Sequence, residues 1–242
     1  MSHVFLPVPC FRFLSVVPQT LPICSAATEK LVKEGTGLNW GDLPDDVFSA
    51  VAKFFQPVYK FLLPHWLSTA PELSQLHETL STTSTSTILD VGCGYGVSTG
   101  VLGKLYPKSK VVGVDYHDQS IDHARKTTAE QGLSNVDYVC CSAESPEWHQ
   151  RSAMNDKSPR QRSVRSRAFS WVPTCLPVCF DSVNSEMATA VFMFDCFHDM
   201  VDPQGTATQA FSAIKPDGAV VLIEPLAADE PGLENALSMP VS

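Results

Sequence analysis

The sequence predicts an α/β fold, a Rossmann-like parallel sheet with helices on both faces. Three observations carry that prediction. From Thr87 onward short apolar runs alternate with helical patterns, the rhythm of parallel strands covered on both sides. Glycines stand at 92, 94 and 96, directly after the apolar run Ile88–Val91. There the first strand of such a sheet can bring bare backbone against a nucleotide-like ligand. With 242 residues, 44% of them hydrophobic and 18% charged, the chain can bury one sizeable core.

Residues 1–42 have no clear periodicity and read as a poorly structured leader. Pro7, Pro9, Arg12, Pro18 and Pro22 interrupt the apolar stretch 4–24, so it does not make the helix of roughly 20 residues that a membrane span requires. Ser25-Ala26-Ala27 hints at a signal peptide, but the prolines and the lack of a basic start argue against one. A helical N-terminal extension follows over 43–80. Asp45 or Asp46 can cap its first helix, and Val47, Phe48, Val51, Phe54, Phe55, Val58, Tyr59, Leu62 and Leu63 recur at spacings of one, three and four. Pro57 predicts a kink or two shorter helices. The apolar stripe has two uses, packing onto the domain or acting as a lid over a ligand site. Apolar faces usually mean core, which favours packing.

Ser81–Thr87 is a polar linker into strand one, Ile88–Val91. Val97–Leu105 is the helix after it, Lys110–Asp115 strand two, and Ser120–Gln131 a helix stopped by Gly132. Val136–Cys141 is strand three, Ala190–Phe194 strand four and Gln204–Ile214 a helix. Ala219–Glu224 is strand five, after a Lys215-Pro216-Asp217-Gly218 turn. The 42 residues of 146–187 break this rhythm. Arg151, Lys157, Arg160, Arg162, Arg165 and Arg167 cluster there among serines, with Asp156 the only acid between them. A stretch this long reads as a disordered insertion, a solvated loop rather than a docking patch. The domain built on this alternation spans 86–226, and 227–242 is a tail.

A net charge of −9 argues against a nucleic-acid binder. The eight cysteines form no disulfide framework; Cys140 and Cys141 are adjacent, and Cys93 lies in the glycine loop. Reduced thiols in a cytoplasmic protein fit better. Cys175 and Cys179 lack the partners for a zinc site, and no metal is expected.

The glycine spacing is Gly92-x-Gly94-x-Gly96, not the Gly-x-Gly-x-x-Gly of dinucleotide folds. Asp90, at the strand end, would repel a pyrophosphate and suit a cationic amine or sulfonium. Leu89-Asp90-Val91-Gly92-Cys93-Gly94-Tyr95-Gly96 resembles the first motif of class I S-adenosylmethionine-dependent methyltransferases. Val111-Val112-Gly113-Val114-Asp115 resembles the second, whose acid accepts hydrogen bonds from both ribose hydroxyls; otherwise Asp115 would be a helix cap. Cys141-Ser142-Ala143-Glu144 lies where the family contacts adenine, with Ser142 in place of the usual aspartate and Glu144 the residue that could compensate. Phe194-Asp195-Cys196-Phe197-His198-Asp199-Met200-Val201-Asp202-Pro203 resembles a subgroup often fused to an N-terminal winged helix.

The resemblance implies S-adenosyl-L-methionine as cofactor, contacted by Asp90, Gly92, Cys93, Gly94, Asp115, Tyr116, Ser142, Ala143, Asp195 and Cys196. His198 would stand near the transferred methyl as a base or positioning group, or would pair with Asp199 to cap the next helix. The leader is too short of patterned residues for a winged helix. The tail of 16 residues is too short for the last helix and two strands of the family's seven-stranded sheet. A strand five with both faces buried would then be a sheet edge, implying truncation, a homodimer through that edge, or marginal stability. The expected function is methyl transfer to a small-molecule acceptor. The alternative is a catalytically inactive, truncated cofactor-binding or interaction protein of the same family. A regulator that binds nucleic acid through the Arg-rich loop is the third reading, and the charge disfavours it.

Overall fold

A computed structural model describes residues 29–30, 32–35, 40–84, 86–144 and 187–224. The predicted insertion 146–187, nearly all of the leader, the tail and the Cys175/Cys179 pair lie outside the described residues, apart from Met187. Five strands form one parallel sheet: β1 (Thr87–Val91), β2 (Lys110–Asp115), β3 (Val136–Cys140), β4 (Ala188–Phe194) and β5 (Ile214–Ile223). Their order is β3-β2-β1-β4-β5, so the chain reverses direction across the sheet between β1 and β4. Ligands of open α/β sheets bind outside the strand ends at such a switch point.

The helices are α1 (Asp45–Pro57), α2 (Leu63–Thr69), α3 (Ser74–Thr82), α4 (Val97–Leu105), α5 (Asp118–Glu130) and α6 (Pro203–Ala213). Alternation along the strands divides the core. Ile88, Val111, Ala190, Phe192 and Phe194 face Leu63, Leu67, Leu80 and Leu102 of the helices on one side. Leu89, Val91, Val112, Val114, Val191 and Met193 face Ala210 and Ala213 on the other. Every residue of β4 is buried, as a central strand between two helical layers must be. A fully buried side chain of this size contributes roughly 1.5–3 kcal/mol.

Several boundaries differ from expectation for local reasons. Pro44 occupies the N-cap position of α1 without a side-chain cap, and Asp45 and Asp46 lie in the first turn, where they complement the helix dipole instead. As expected, the first α-helix ends at Pro57 and a second, shorter one begins at Leu63. A π turn, Val58–Leu62, joins α1 to α2, and the N–H of Leu63 donates to the Val58 carbonyl. Proline at 57 and again at 64 removes two helical donors, and a wider turn between them absorbs the loss.

Lys215-Pro216-Asp217-Gly218 falls within β5 as a bulge: Ala188 pairs with Ile214, and Ala190 already pairs with Ala219. Strand five is less buried than its composition suggests. Only Val221 is buried and Leu222 is 43% exposed, because β5 is the last strand among the described residues. No helix among them is long and apolar enough to cross a membrane.

Phe192 is fully buried between β1 and β5. Phe192→Ala should lower unfolding free energy in urea by about 3–5 kcal/mol. Leu222→Ala at the exposed edge should change it by no more than about 0.5 kcal/mol.

Candidate functional site

The carboxyl ends of β1, β2, β4 and β5 converge, and each carries an acid: Asp90, Asp115, Asp195 and Glu224. β1 leads into the glycine turn. The N–H groups of Gly92 and Cys93 both donate to the Val114 carbonyl, at 2.8 and 3.1 Å, which holds the turn against the end of β2. Gly92 has φ 74°, and a Cβ there would meet the Cys196 sulfur at 2.7 Å. The absent side chain therefore lets the loop after β4 close on the turn. Gly94, with φ 50°, has nothing within 4 Å of a Cβ position. The turn is packed beneath Gly92 and open beside Gly94.

Asp90 is 1% exposed. Its Oδ2 accepts hydrogen bonds from Ser98 and Thr99 at 2.7 and 2.5 Å, and its Oδ1 is buried without a partner. Burial pushes its pKa up to about 6; the hydroxyls of Thr99 and Ser98 pull it down and Asp115 adds to the rise. Asp115 receives the N–H of Gly94 on Oδ2 (2.8 Å) and the N–H of His117 on Oδ1 (2.9 Å). Burial raises its pKa against those bonds. Asp115 thus ties the start of α5 to the glycine turn. The N-cap position itself belongs to His117.

Beyond β2, Tyr116 is half-exposed, and its hydroxyl accepts the Gly41 N–H at 2.8 Å. Phe48 of α1 stacks on His117 with centroids 4.3 Å apart. The N-terminal extension therefore both packs on the sheet and covers this end of the site. After β3, Ser142 Oγ accepts the Glu144 N–H at 3.3 Å. Glu144 in turn accepts the Asp202 N–H at 3.0 Å, so its Oε1 is turned toward the loop after β4. Ala143 packs with Cys141 against the second core.

The loop after β4 is held by Glu224. Its Oε1 accepts the N–H groups of Cys196 and Phe197 at 3.1 and 2.8 Å, and its Oε2 lies 2.5 Å from His198 Nδ1. A carboxylate only accepts, so Nδ1 carries a proton, and in the neutral ring Nε2 is the acceptor. His198 does not cap the following helix: Asp202 does, accepting from Gly205, while His198 Nε2 lies 3.5 Å from Asp199 Oδ1. Burial lowers the His198 pKa, but the Glu224 hydrogen bond and the charges of Asp199, Glu224 and Asp195 outweigh it and the net shift is upward.

Asp195 has φ 51°, a conformation that costs a non-glycine residue of order 1–3 kcal/mol and clusters at functional sites. Burial pushes its pKa up to about 6; His198 opposes this, and Glu224 and Asp199 add to it. The donor atoms of Asp195, His198 and Glu224 lie within 4.8 Å of one another. That spacing could admit a metal ion, although both Glu224 oxygens are already engaged. Burial also raises the Cys196 thiol, whose sulfur donates to the Val91 carbonyl at 3.2 Å.

The residues expected from sequence lie at the carboxyl ends of these strands or in the loops after them, with Ser142 and Ala143 after β3. Sequence reasoning missed Glu224, although the signal that found the other acids, a carboxylate directly after an apolar strand, applied to it equally. It also missed Ser98 and Thr99, the partners of Asp90.

Residues 82–236 match the family model described as a methyltransferase domain. The malonyl-[acyl-carrier protein] O-methyltransferase of Bacillus cereus is 40% identical over 68 residues, 28% of this chain and 24% of that protein. The ribosomal RNA small subunit methyltransferase C of Serratia proteamaculans is 42% identical over 60 residues, 25% of this chain and 17% of that one. The chain thus spans about a quarter or less of the length of the curated relatives it matches. Among solved structures, an O-methyltransferase family protein from Burkholderia thailandensis aligns with a TM-score of 0.54 at 14% identity. That alignment covers 90% of this chain and 56% of the other, a likeness of fold alone.

Replacing Glu224 by Gln removes the charge that favours imidazolium. In an NMR titration the His198 pKa should fall toward or below the ordinary imidazole value, while the other histidines titrate as before.

Proposed function

The chain belongs to the methyltransferase-domain family, and on that premise we propose that it moves a methyl group from S-adenosylmethionine to a nucleophile on a small molecule. The observation that carries this reading is the Asp115 carboxylate, fixed by Gly94 and His117 beside the open part of the glycine turn. A carboxylate offers about four acceptor sites, so beside the N–H groups of Gly94, His117 and Tyr116 it keeps one for a ribose hydroxyl. The open space at Gly94 lets a ligand lie directly on backbone. The unpartnered Asp90 oxygen supports a cationic centre nearby, since a positive charge compensates a buried carboxylate. The residues present fit the cofactor.

Asp115 would take the ribose, and Tyr116, Ser142 and Ala143 would line the adenine. Gly92, Cys93, Gly94, Asp195 and Cys196 would enclose the methionine end under the field of Asp90. When bound, the cofactor supplies an electrophilic methyl on a sulfonium. The protein aligns the acceptor with that methyl, and alignment is a large part of what such a transfer needs. α1 limits water at the mouth, and His198 Nε2 is available to take a proton.

A small-molecule acceptor is favoured over nucleic acid by the net charge of −9, since a phosphate backbone demands a basic footprint. The edge of β5 is the surface through which two copies would pair, and reduced cysteines fit a cytoplasmic setting. Glu144 Oε1 is engaged by the Asp202 N–H and Ser142 Oγ by the Glu144 N–H, so neither oxygen is free to replace the family's aspartate. That observation favours the second reading, a cofactor-binding member without turnover.

Calorimetry with S-adenosylmethionine tests the proposal. Asp115→Ala should weaken binding at least tenfold, since the bonds lost are to a charged acceptor. Wild-type affinity should fall as pH drops through about 6, because Asp90 and Asp195 protonate there and a cationic ligand prefers them ionised. An unchanged affinity in Asp115→Ala would remove the ribose assignment. Binding without methyl transfer across a broad acceptor panel would select the second reading.

A further inference from the structure

One aromatic group packed against the end of β4 comes from outside the matched residues 82–236. Tyr59 lies in the π turn between α1 and α2. Its ring packs 5.4 Å from that of Phe194, the last residue of β4, and stacks at 5.7 Å on Phe55. The residue is partly buried, and it packs against the core between helices and sheet. Its hydroxyl hydrogen-bonds to no described residue and is not sealed from solvent, so a ligand can reach it. The charges that reach it are those of Asp90, Asp195, Cys196 and Glu224, which adjoin the methionine end and His198. Burial first, and then those charges, hold the phenol well above its usual range. At neutral pH Tyr59 is therefore a donor and not a base.

We propose that Tyr59 positions the methyl acceptor by donating a hydrogen bond to its oxygen, and that the acceptor is a neutral hydroxyl, an alcohol or a phenol. The proposal rests on the methyltransferase reading and deepens it. Two groups face the acceptor with opposite demands. Tyr59 gives a proton to a hydrogen bond, and His198 Nε2, with Nδ1–H committed to Glu224, receives one. A neutral hydroxyl answers both, since it accepts on a lone pair and donates its own hydrogen. A carboxylate has no proton to give and meets Asp195, Glu224 and Asp90. An ammonium has no lone pair for Tyr59.

In the transfer, the acceptor's O–H proton passes to His198 Nε2. The oxygen's electron pair forms the bond to the methyl carbon. The carbon–sulfur bond of S-adenosylmethionine breaks with its pair kept on sulfur, which becomes the neutral thioether. Glu224 stabilises the imidazolium until its proton leaves to water.

The test uses the full chain and its Tyr59→Phe variant, which keeps the ring, with circular dichroism to confirm the fold. Calorimetry with S-adenosylmethionine comes first: a wild type that does not bind removes the methyltransferase reading itself. Methyl transfer from labelled cofactor is then measured on a broad panel of alcohols and phenols beside matched amines and carboxylic acids, benzyl alcohol, benzylamine and benzoate among them. We expect transfer to hydroxyls. We also expect Tyr59→Phe to raise KM for the best hydroxyl acceptor, or lower kcat/KM, about tenfold. Its cofactor affinity should stay within twofold and the acid limb of its pH profile, set by His198, should not move. A preference for amines or carboxylates, no transfer to any hydroxyl, an unchanged Tyr59→Phe, or cofactor affinity lost in that variant would each overturn the proposal.

Discussion

The Asp90 carboxylate, buried at the end of β1 and bound by Ser98 and Thr99, is the interaction on which the site depends. It fixes where α4 begins relative to the strand it follows. With both ends set, the five intervening residues must turn within a few ångströms, and the backbone of Gly92–Gly96 is pressed into positive φ at three positions. The packing confirms how little room is left. The Tyr138 hydroxyl bonds Thr128 and approaches the Gly96 carbonyl, and Cβ atoms at Gly96 or Gly113 would overlap the tyrosine ring or hydroxyl. Half-compensated burial leaves Asp90 short of one partner. A cationic ligand of the kind proposed would complete a structural element as well as occupy a site.

Glu224 plays the corresponding part on the other side of β1. Through two backbone N–H groups and the His198 ring it fixes the loop after β4, and that loop in turn holds the strained Asp195 and lays Cys196 on Gly92. The two acids act in opposite ways. Asp90 accepts from side chains and orders a helix, whereas Glu224 accepts mainly from backbone and orders a loop. Together they bracket the strand ends where ligand is expected, and the N-terminal extension closes the opening by placing Phe48 on His117 and Tyr59 on Phe194.

What could be read from the sequence follows from range. Strands β1 and β2 and helix α4 were legible because apolar runs and glycines act through local geometry, and Asp115 because its distance from Gly92 is set by one βαβ unit. The His198–Glu224 and Tyr59–Phe194 contacts were not, since they join residues 26 and 135 positions apart, and a single sequence holds no trace of such pairings. The π turn was foreseen only as an interruption. Proline predicts the loss of a donor but not whether the helix breaks or widens. The edge position of β5 was legible, since a strand of apolar composition was read as the last of the sheet, and it is the last among the described residues.

The bulge at Lys215–Gly218 has a consequence for how the domain tolerates change. Two residues of β4 are spanned by five of β5, and regular pairing resumes at Ala219. That surplus chain behaves like slack in a line: length gained or lost before Ala219 is taken up in the bulge and does not reach the strand's far end. Glu224 is thereby insulated from insertions and deletions in the turn that precedes it. The sheet's last strand can vary at its entrance while its exit stays in register with His198.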